Sequence, residues 1–165
     1  MQRIAKFTHV SVDRFTADWH DAFPNSAAPA LPPLPKRATV GSAGYDFYIP
    51  AALALAPGET AKIPTGIRAE MENGWVLQLF PRSGLGFKYR VQLNNTVGII
   101  DSDYYYSDNE GHILIKITNA NTEGKTLTLA AGEAFAQGIF LPFGITKDDD
   151  VSEIRNGGFG STTKK

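Results

Sequence analysis

An all-β domain is the fold class this sequence predicts: a sandwich, jelly roll or barrel, with one short N-terminal helix and a flexible C-terminal arm. Two observations carry that expectation. Beyond Arg37, short runs such as "WVLQLF" and "HILIKIT" recur, with apolar residues on one face. Turn signals punctuate them: Pro57-Gly58, Asn73-Gly74 and Ala131-Gly132. Short strands at this spacing argue a closed or double-layered antiparallel architecture.

The elements follow in order. "RIAKFTHVSV" reads as a first strand. "DRFTADWHDAF" reads as a helix, with Phe15 and Trp19 four apart on one face. The segment at about 24–36 holds five of the ten prolines, a density that neither a helix nor a central strand tolerates. It is expected to be an extended surface connection, the alternative being a mobile linker. "AKIP" is a short strand. "GIRAEM" and "WVLQLF" flank Glu72-Asn73-Gly74, and Asn-Gly between alternating runs predicts a hairpin. In "FKYRVQL", Phe87, Tyr89, Val91 and Leu93 alternate with polar residues, which predicts a strand. Ile113, Ile115 and Ile117 share one face of another. "KTLTLAAGEAFAQGIFLPF" gives two more strands around Ala131-Gly132. One domain is expected over 1–152, followed by a mobile arm over 153–165.

Composition narrows the functional classes. A chain of 165 residues suffices for one sizeable core. Apolar residues make up 42% and charged residues 20%, as in a globular protein. Formal net charge is -1, so no global field attracts nucleic acid or an anionic membrane. There is no cysteine, which excludes a disulfide scaffold and fits a cytoplasmic location. No run approaches the ~20 apolar residues of a membrane span. His9, His20 and His112 are scattered, so they offer no protein-built metal cage.

Five segments read as neither ordinary strand nor ordinary turn. They are "SAGYDF", "PRSGL", "NTVGIIDSDYY", "GEAFAQGIF" and "GGFGST". Singly, each has a plain explanation. Asp46 reads as a turn or cap, Arg-Ser-Gly as a solvated turn, Asp101 and Asp103 as turn caps, and the glycine-rich end as a loose tail. Together and in this order, they resemble the five motifs of the trimeric dUTP pyrophosphatases, the dUTPases, in their phage and low-GC bacterial form. The resemblance spans roughly residues 35 to 163.

That resemblance implies an activity and a set of roles. The reaction is hydrolysis of dUTP to dUMP and pyrophosphate, with Mg²⁺ carried on the substrate phosphates and bound waters. Cleavage at the α-phosphorus needs an oriented water, a base, and donors to the negative oxygens. Asp101 is implied as the base and Gln137 as the group that positions the water or α-phosphate, with Asp46 also in the catalytic set. Arg82, Ser83 and Gly84 are implied to hold phosphate. Asn95, Gly98 and Ile100 line a hairpin whose backbone reads the uracil edge. Tyr104 is implied to pack under the deoxyribose, although Tyr105 and Tyr106 follow it and packing is an alternative use. The arm supplies Phe159 to stack on the base, with Arg155, Gly160, Ser161 and Thr162 toward the β- and γ-phosphates. A homotrimer with sites shared between chains is implied.

Three positions depart from the family pattern. Ala134 stands where an arginine is usual, one residue (Asn156) separates Arg155 from "GGFG", and Thr163 replaces a glycine. The stretch "YYYSDNEGH", 104–112, is longer than in many members and is a candidate surface for a regulatory protein partner. A dCTP deaminase or bifunctional enzyme of the same fold is the alternative chemistry.

Overall fold

In the computed structural model, which describes residues 2–153 and 155, the chain opens on β1 (Ala5–His9) and α1 (Val12–Ala22). Ser11 starts α1: its hydroxyl accepts from the Arg14 N–H, satisfying one of the free donors of the first turn. Phe15 and Trp19 point to one side and bury with Val10 in a small cluster that Leu31 and Phe23 complete. Pro24 then blocks continuation of the helix. The proline-rich connection is extended, as expected, and it is pinned. Pro32 and Pro35 are buried, and His9 Nε2 donates to the Pro32 carbonyl at 2.8 Å.

Eleven more strands follow among the described residues. The first half gives β2 (Lys36–Arg37), β3 (Tyr45–Tyr48), β4 (Leu53–Leu55), β5 (Thr60–Pro64), β6 (Ile67–Met71) and β7 (Trp75–Pro81). After α2 (Ser83–Tyr89) come β8 (Val91–Leu93) and β9 (Gly98–Ile100). A 3-10 turn, Ser102–Tyr106, leads to β10 (Leu114–Asn119), β11 (Leu127–Leu129) and β12 (Ala134–Pro142). Every pairing among them is antiparallel. The largest sheet runs β2-β3-β12-β7-β9. A second runs β5-β10-β8, and two ribbons pair β1 with β6 and β4 with β11. Their inner faces close on one core, in which Phe47, Leu77, Ile113, Ile117, Leu127 and Phe135 are wholly buried. The all-β class is as the alternation predicts.

Two local expectations fail. Asn73-Gly74 does form a turn, with Gly74 at φ +83°, but it does not close a hairpin. β6 pairs with β1, while β7 pairs with β12 and β9. The turn is compatible with either outcome, and burial across the core selects the partners. "FKYRVQL" is not one strand. Its first half belongs to α2, which ends at Arg90 in the left-handed region (φ 51°), and only Val91–Leu93 is extended. Phe87 accordingly stays 91% exposed, rather than alternating inward with Val91 and Leu93.

Candidate active site

Three of the five motifs meet at one end of the large sheet. Asp46 on β3 lies opposite Gln137 on β12, and Gln137 lies opposite Phe80 on β7. Arg82 follows β7 directly, and its Nε is 3.4 Å from Asp46 Oδ1. Gln137 Nε2 donates to the Pro81 carbonyl at 3.1 Å. This bond fixes the amide and leaves Oε1 on the side of Gly44. Asp46 is therefore held by an ion pair, beyond the capping role its type suggests alone. Ser83 and Gly84 are exposed at the start of α2, where backbone N–H groups have no partner inside the helix. Burial raises the pKa of nearby Tyr48, and the Asp46 charge adds to that shift.

A second feature lies between the two main sheets. β8 is an edge strand of one and β9 of the other, and each is paired on one side only. The expected hairpin is thus a splayed pair joined by a tight turn, in which Thr96 takes φ 67°. A cavity of about 290 Å³ opens there, lined by Leu79, Leu93, Asn95, Gly98, Ile100 and Ile115 among others. An edge strand presents unpaired N–H and C=O groups, so this wall offers fixed donors and acceptors. Gly98 is required at its place: a Cβ there would sit 2.9 Å from the Cβ of Leu79. Asn95, Gly98 and Ile100 thus line one cavity. Leu79 and Leu93 belong to the same cavity and went unnoticed, because as alternating strand residues they read only as core.

The third feature is acidic. Asp101 follows β9 and begins the 3-10 turn that carries Asp103 and Tyr104. Arg155 bridges both carboxylates: Nη2 donates to Asp101 Oδ2 at 2.5 Å and Nε to Asp103 Oδ1 at 2.8 Å. In this state Arg155 is therefore not directed at phosphate, as expected, but closes over the carboxylate implied as the base. Tyr104 is 5% exposed; its hydroxyl donates to the His112 carbonyl at 2.7 Å and accepts from Asn109 Nδ2 at 2.8 Å. Burial raises its pKa. Phe159, Gly160, Ser161 and Thr162, and with them the expected arm apart from Glu153 and Arg155, lie outside the described residues.

The two groups do not meet within one chain. β9 runs against β7 with Ile100 opposite Leu77, which brings Asp101 level with Val76, whereas Arg82 lies past the other end of β7. From Val76 to Arg82 the strand measures roughly 20 Å at about 3.3 Å per residue. Asp46, Arg82 and Gln137 are gathered at one end and Asp101, Asp103 and Arg155 at the other, with the cavity between.

Comparison with known proteins decides the family. Residues 32–163 match the dUTPase family model. The chain belongs to the dUTPase family. It is 43% identical over 132 residues to the deoxyuridine 5'-triphosphate nucleotidohydrolase of Lactococcus lactis, covering 78% of this chain and 87% of the relative. The crystal structure of the Streptococcus mutans dUTPase superposes with a TM-score of 0.65 at 35% identity, covering 86% and 98% of the two chains. A variant dUTPase of Staphylococcus aureus phage phi11, described with a structural Mg(II) ion, gives 0.64 at 20% identity over 92% and 98%. At that identity the likeness is one of fold. These dUTPase matches favour hydrolysis over the deaminase alternative. The residues matched by the family model begin after α1. Ala134, where the family's arginine is missing, sits opposite Tyr48 beside an irregularity in the β3–β12 ladder.

Among the described residues no helix is long and apolar enough to cross a membrane. Among them, too, no three His, Cys, Asp or Glu side chains form a metal cage.

Proposed function

We propose that the protein hydrolyses dUTP to dUMP and pyrophosphate, as a homotrimer in which each site draws residues from more than one chain. The observation that carries this is the cavity between the edges of β8 and β9, with Asp101 at the end of β9. Uracil fits such a wall. Its imide edge presents an acceptor–donor–acceptor pattern that fixed backbone groups match and cytosine does not. A methyl group at C5 would meet the cavity lining. The Tyr104 ring, locked through its hydroxyl, forms the floor under the deoxyribose and leaves no room for a 2'-hydroxyl.

The chain's residues then divide the chemistry. Arg82, the Ser83 hydroxyl and the Gly84 N–H donate to phosphate oxygens as charge builds on them. Gln137 orients the water or the α-phosphate through its fixed amide. Asp101 removes a proton from that water, whose oxygen attacks the α-phosphorus. The bond from the α-phosphorus to the bridging oxygen breaks, and pyrophosphate leaves with the electron pair. Arg155 occupies Asp101 Oδ2 here, and a triphosphate gives it another anionic partner, which frees that oxygen to face the water. Phe159, Gly160, Ser161 and Thr162 are assigned to the closing arm, which excludes water around the reacting centre. Mg²⁺, when bound on the triphosphate, offsets phosphate charge and aids departure of pyrophosphate. Asp46, part-buried beside Arg82, is assigned to the same phosphate end of the site.

Trimer formation with shared sites is the reading that reconciles the geometry. Residues of one chain held roughly 20 Å apart along a strand cannot act on one phosphate, but a neighbouring chain can bring its Asp101 to this chain's Arg82. The segment 104–112, considered above as a partner surface, uses much of its polarity internally: Asn109, Glu110 and His112 all bond within the chain.

Pyrophosphate release from dUTP, dCTP, dTTP and UTP with magnesium tests the proposal. Discrimination by buried hydrogen bonds and steric exclusion reaches on the order of 10⁴-fold, and dUTP should lead by a margin of that order. Comparable rates on dTTP or UTP would remove the roles given to the cavity and to Tyr104.

A further inference from the structure

Helix α1 lies outside the family-matched residues, yet it holds the segment that follows the third motif. Three contacts make the connection. Glu110 accepts from the Ser11 N–H at 2.8 Å and from the Ser11 hydroxyl at 2.6 Å, so the loop grips the start of the helix. Those bonds hold the Glu110 carboxyl below its usual pKa. His112, wholly buried, has Nδ1 2.5 Å from Asp18 Oδ2 in the middle of α1. The Phe15 ring packs against the same imidazole.

The imidazole can have only one proton arrangement. The Gly66 N–H points at His112 Nε2 at 2.8 Å, and a backbone amide can only donate. Nε2 is therefore the acceptor, and Nδ1 carries the proton and donates to Asp18. The carbonyl of this same residue receives the Tyr104 hydroxyl. A continuous chain thus runs from α1 through Asp18 and His112 to Tyr104, within the 3-10 turn that Asp101 begins. Asn109 closes it from the side by donating to the Tyr104 oxygen.

We infer that Asp18 and His112 are positioning residues for nucleotide hydrolysis: α1 braces the third motif through them and so sets Tyr104 and Asp101 for the substrate. The inference rests on the proposed place of Tyr104 under the sugar. Its physical content is that a 3-10 turn has poor hydrogen-bond geometry and little rigidity of its own. The turn takes its register from outside, and the outside support is a buried, single-tautomer histidine clamped by a helix.

The experiment compares Asp18→Ala, Asp18→Asn and Asp21→Asn in the full chain, well below the melting temperature. Asp18→Ala removes the acceptor. Asp18→Asn keeps an acceptor oxygen and serves as the conservative rescue. Asp21→Asn weakens a different anchor of the same helix, by removing the charge that pairs with Lys62 at 2.5 Å, and controls for loosened α1. Asp18→Ala should lower kcat/KM for dUTP about tenfold and shrink the preference over UTP. Asp18→Asn should retain most of both, and Asp21→Asn should change melting temperature alone. An Asp18→Ala protein with wild-type kcat/KM and wild-type preference would overturn the brace, as would equal kinetic losses in Asp21→Asn. Tyr104→Ala, measured alongside, separates the two ideas. If it leaves the UTP preference intact, the sugar role of Tyr104 fails; if it abolishes the preference while Asp18→Ala does nothing, only the brace fails.

Discussion

Gly44 stands so near Gln137 that a Cβ on it would lie 2.6 Å from the side-chain Oε1. The amide is thus confined on both sides, by Gly44 at its oxygen and by the Pro81 carbonyl at its nitrogen. Gly44→Ala should leave the fold intact, because the atom it meets ends a flexible side chain. It should also turn Gln137 away from the α-phosphate. Misplacement of about 1 Å near reacting atoms can cost up to 10²-fold, and a fall in kcat of ten- to a hundredfold is expected. Steady-state kinetics beside a thermal melt decide it, and an unchanged kcat would remove Gln137 from the chemistry.

Gly98 makes the parallel case for binding. Its missing Cβ lets β9 lie against Leu79, with 2.9 Å left for any added carbon. Both atoms in that contact are close to backbone and cannot swing aside. Gly98→Ala should force β9 outward, reshape the cavity and destabilise the fold by about 1–3 kcal/mol. The kinetic signature is a raised KM for dUTP, measured with a denaturant melt. A variant with normal KM and stability would mean that β9 does not form the cavity wall.

The elements legible in the sequence were those with local causes. Phe15 and Trp19 at helical spacing point to α1, and the shared face of Ile113, Ile115 and Ile117 points to the buried side of β10 and of the residue before it. The motifs imply one site that holds Asp46, Arg82, Gln137 and Asp101; within one chain the structure brings only the first three to one end of the sheet. Partner choice was not legible. Asn73-Gly74 looks like a hairpin turn whether or not its flanks pair, since the pairing is settled by burial across the core. The brace of Asp18 on His112 left no pattern either. The two residues are 94 positions apart, and a lone histidine carries no periodic signal.

His112 gives a prediction in pH. Burial pushes its pKa below the ordinary value near 6.5, against the opposing pull of the Asp18 hydrogen bond. Arg14 disfavours the charged ring as well, while Glu110 favours it. Between the lowered folded pKa and 6.5 the unfolded chain holds more protons, so stability is full above about pH 6.5 and declines as pH falls through that window. The slope from this residue is at most about 1.4 kcal/mol per pH unit. Nitrogen-15 shifts of the ring should report a neutral Nδ1–H tautomer at pH 7. A charged ring, or an Nε2–H tautomer, would contradict the Gly66 contact.

The separation of Arg82 from Asp101 along β7 yields the last test. Arg82→Ala and Asp101→Asn should each lose on the order of 10²-fold in turnover, one through a missing donor and the other through a missing base. Both side chains are part-exposed, so neither change threatens the core. Unfolded together in equal amounts and refolded, the two proteins assemble at random. If a site takes Arg82 from one chain and Asp101 from its neighbour, each intact residue is present with even odds. About a quarter of the sites are then complete, as a heterologous cyclic interface requires. If both residues serve the site of their own chain, no mixed site is ever complete. Recovery of about a quarter of wild-type activity, with mixed trimers verified by mass, is the expected outcome. Mixed assemblies no more active than the separate variants would show that a site does not combine Arg82 and Asp101 from different chains.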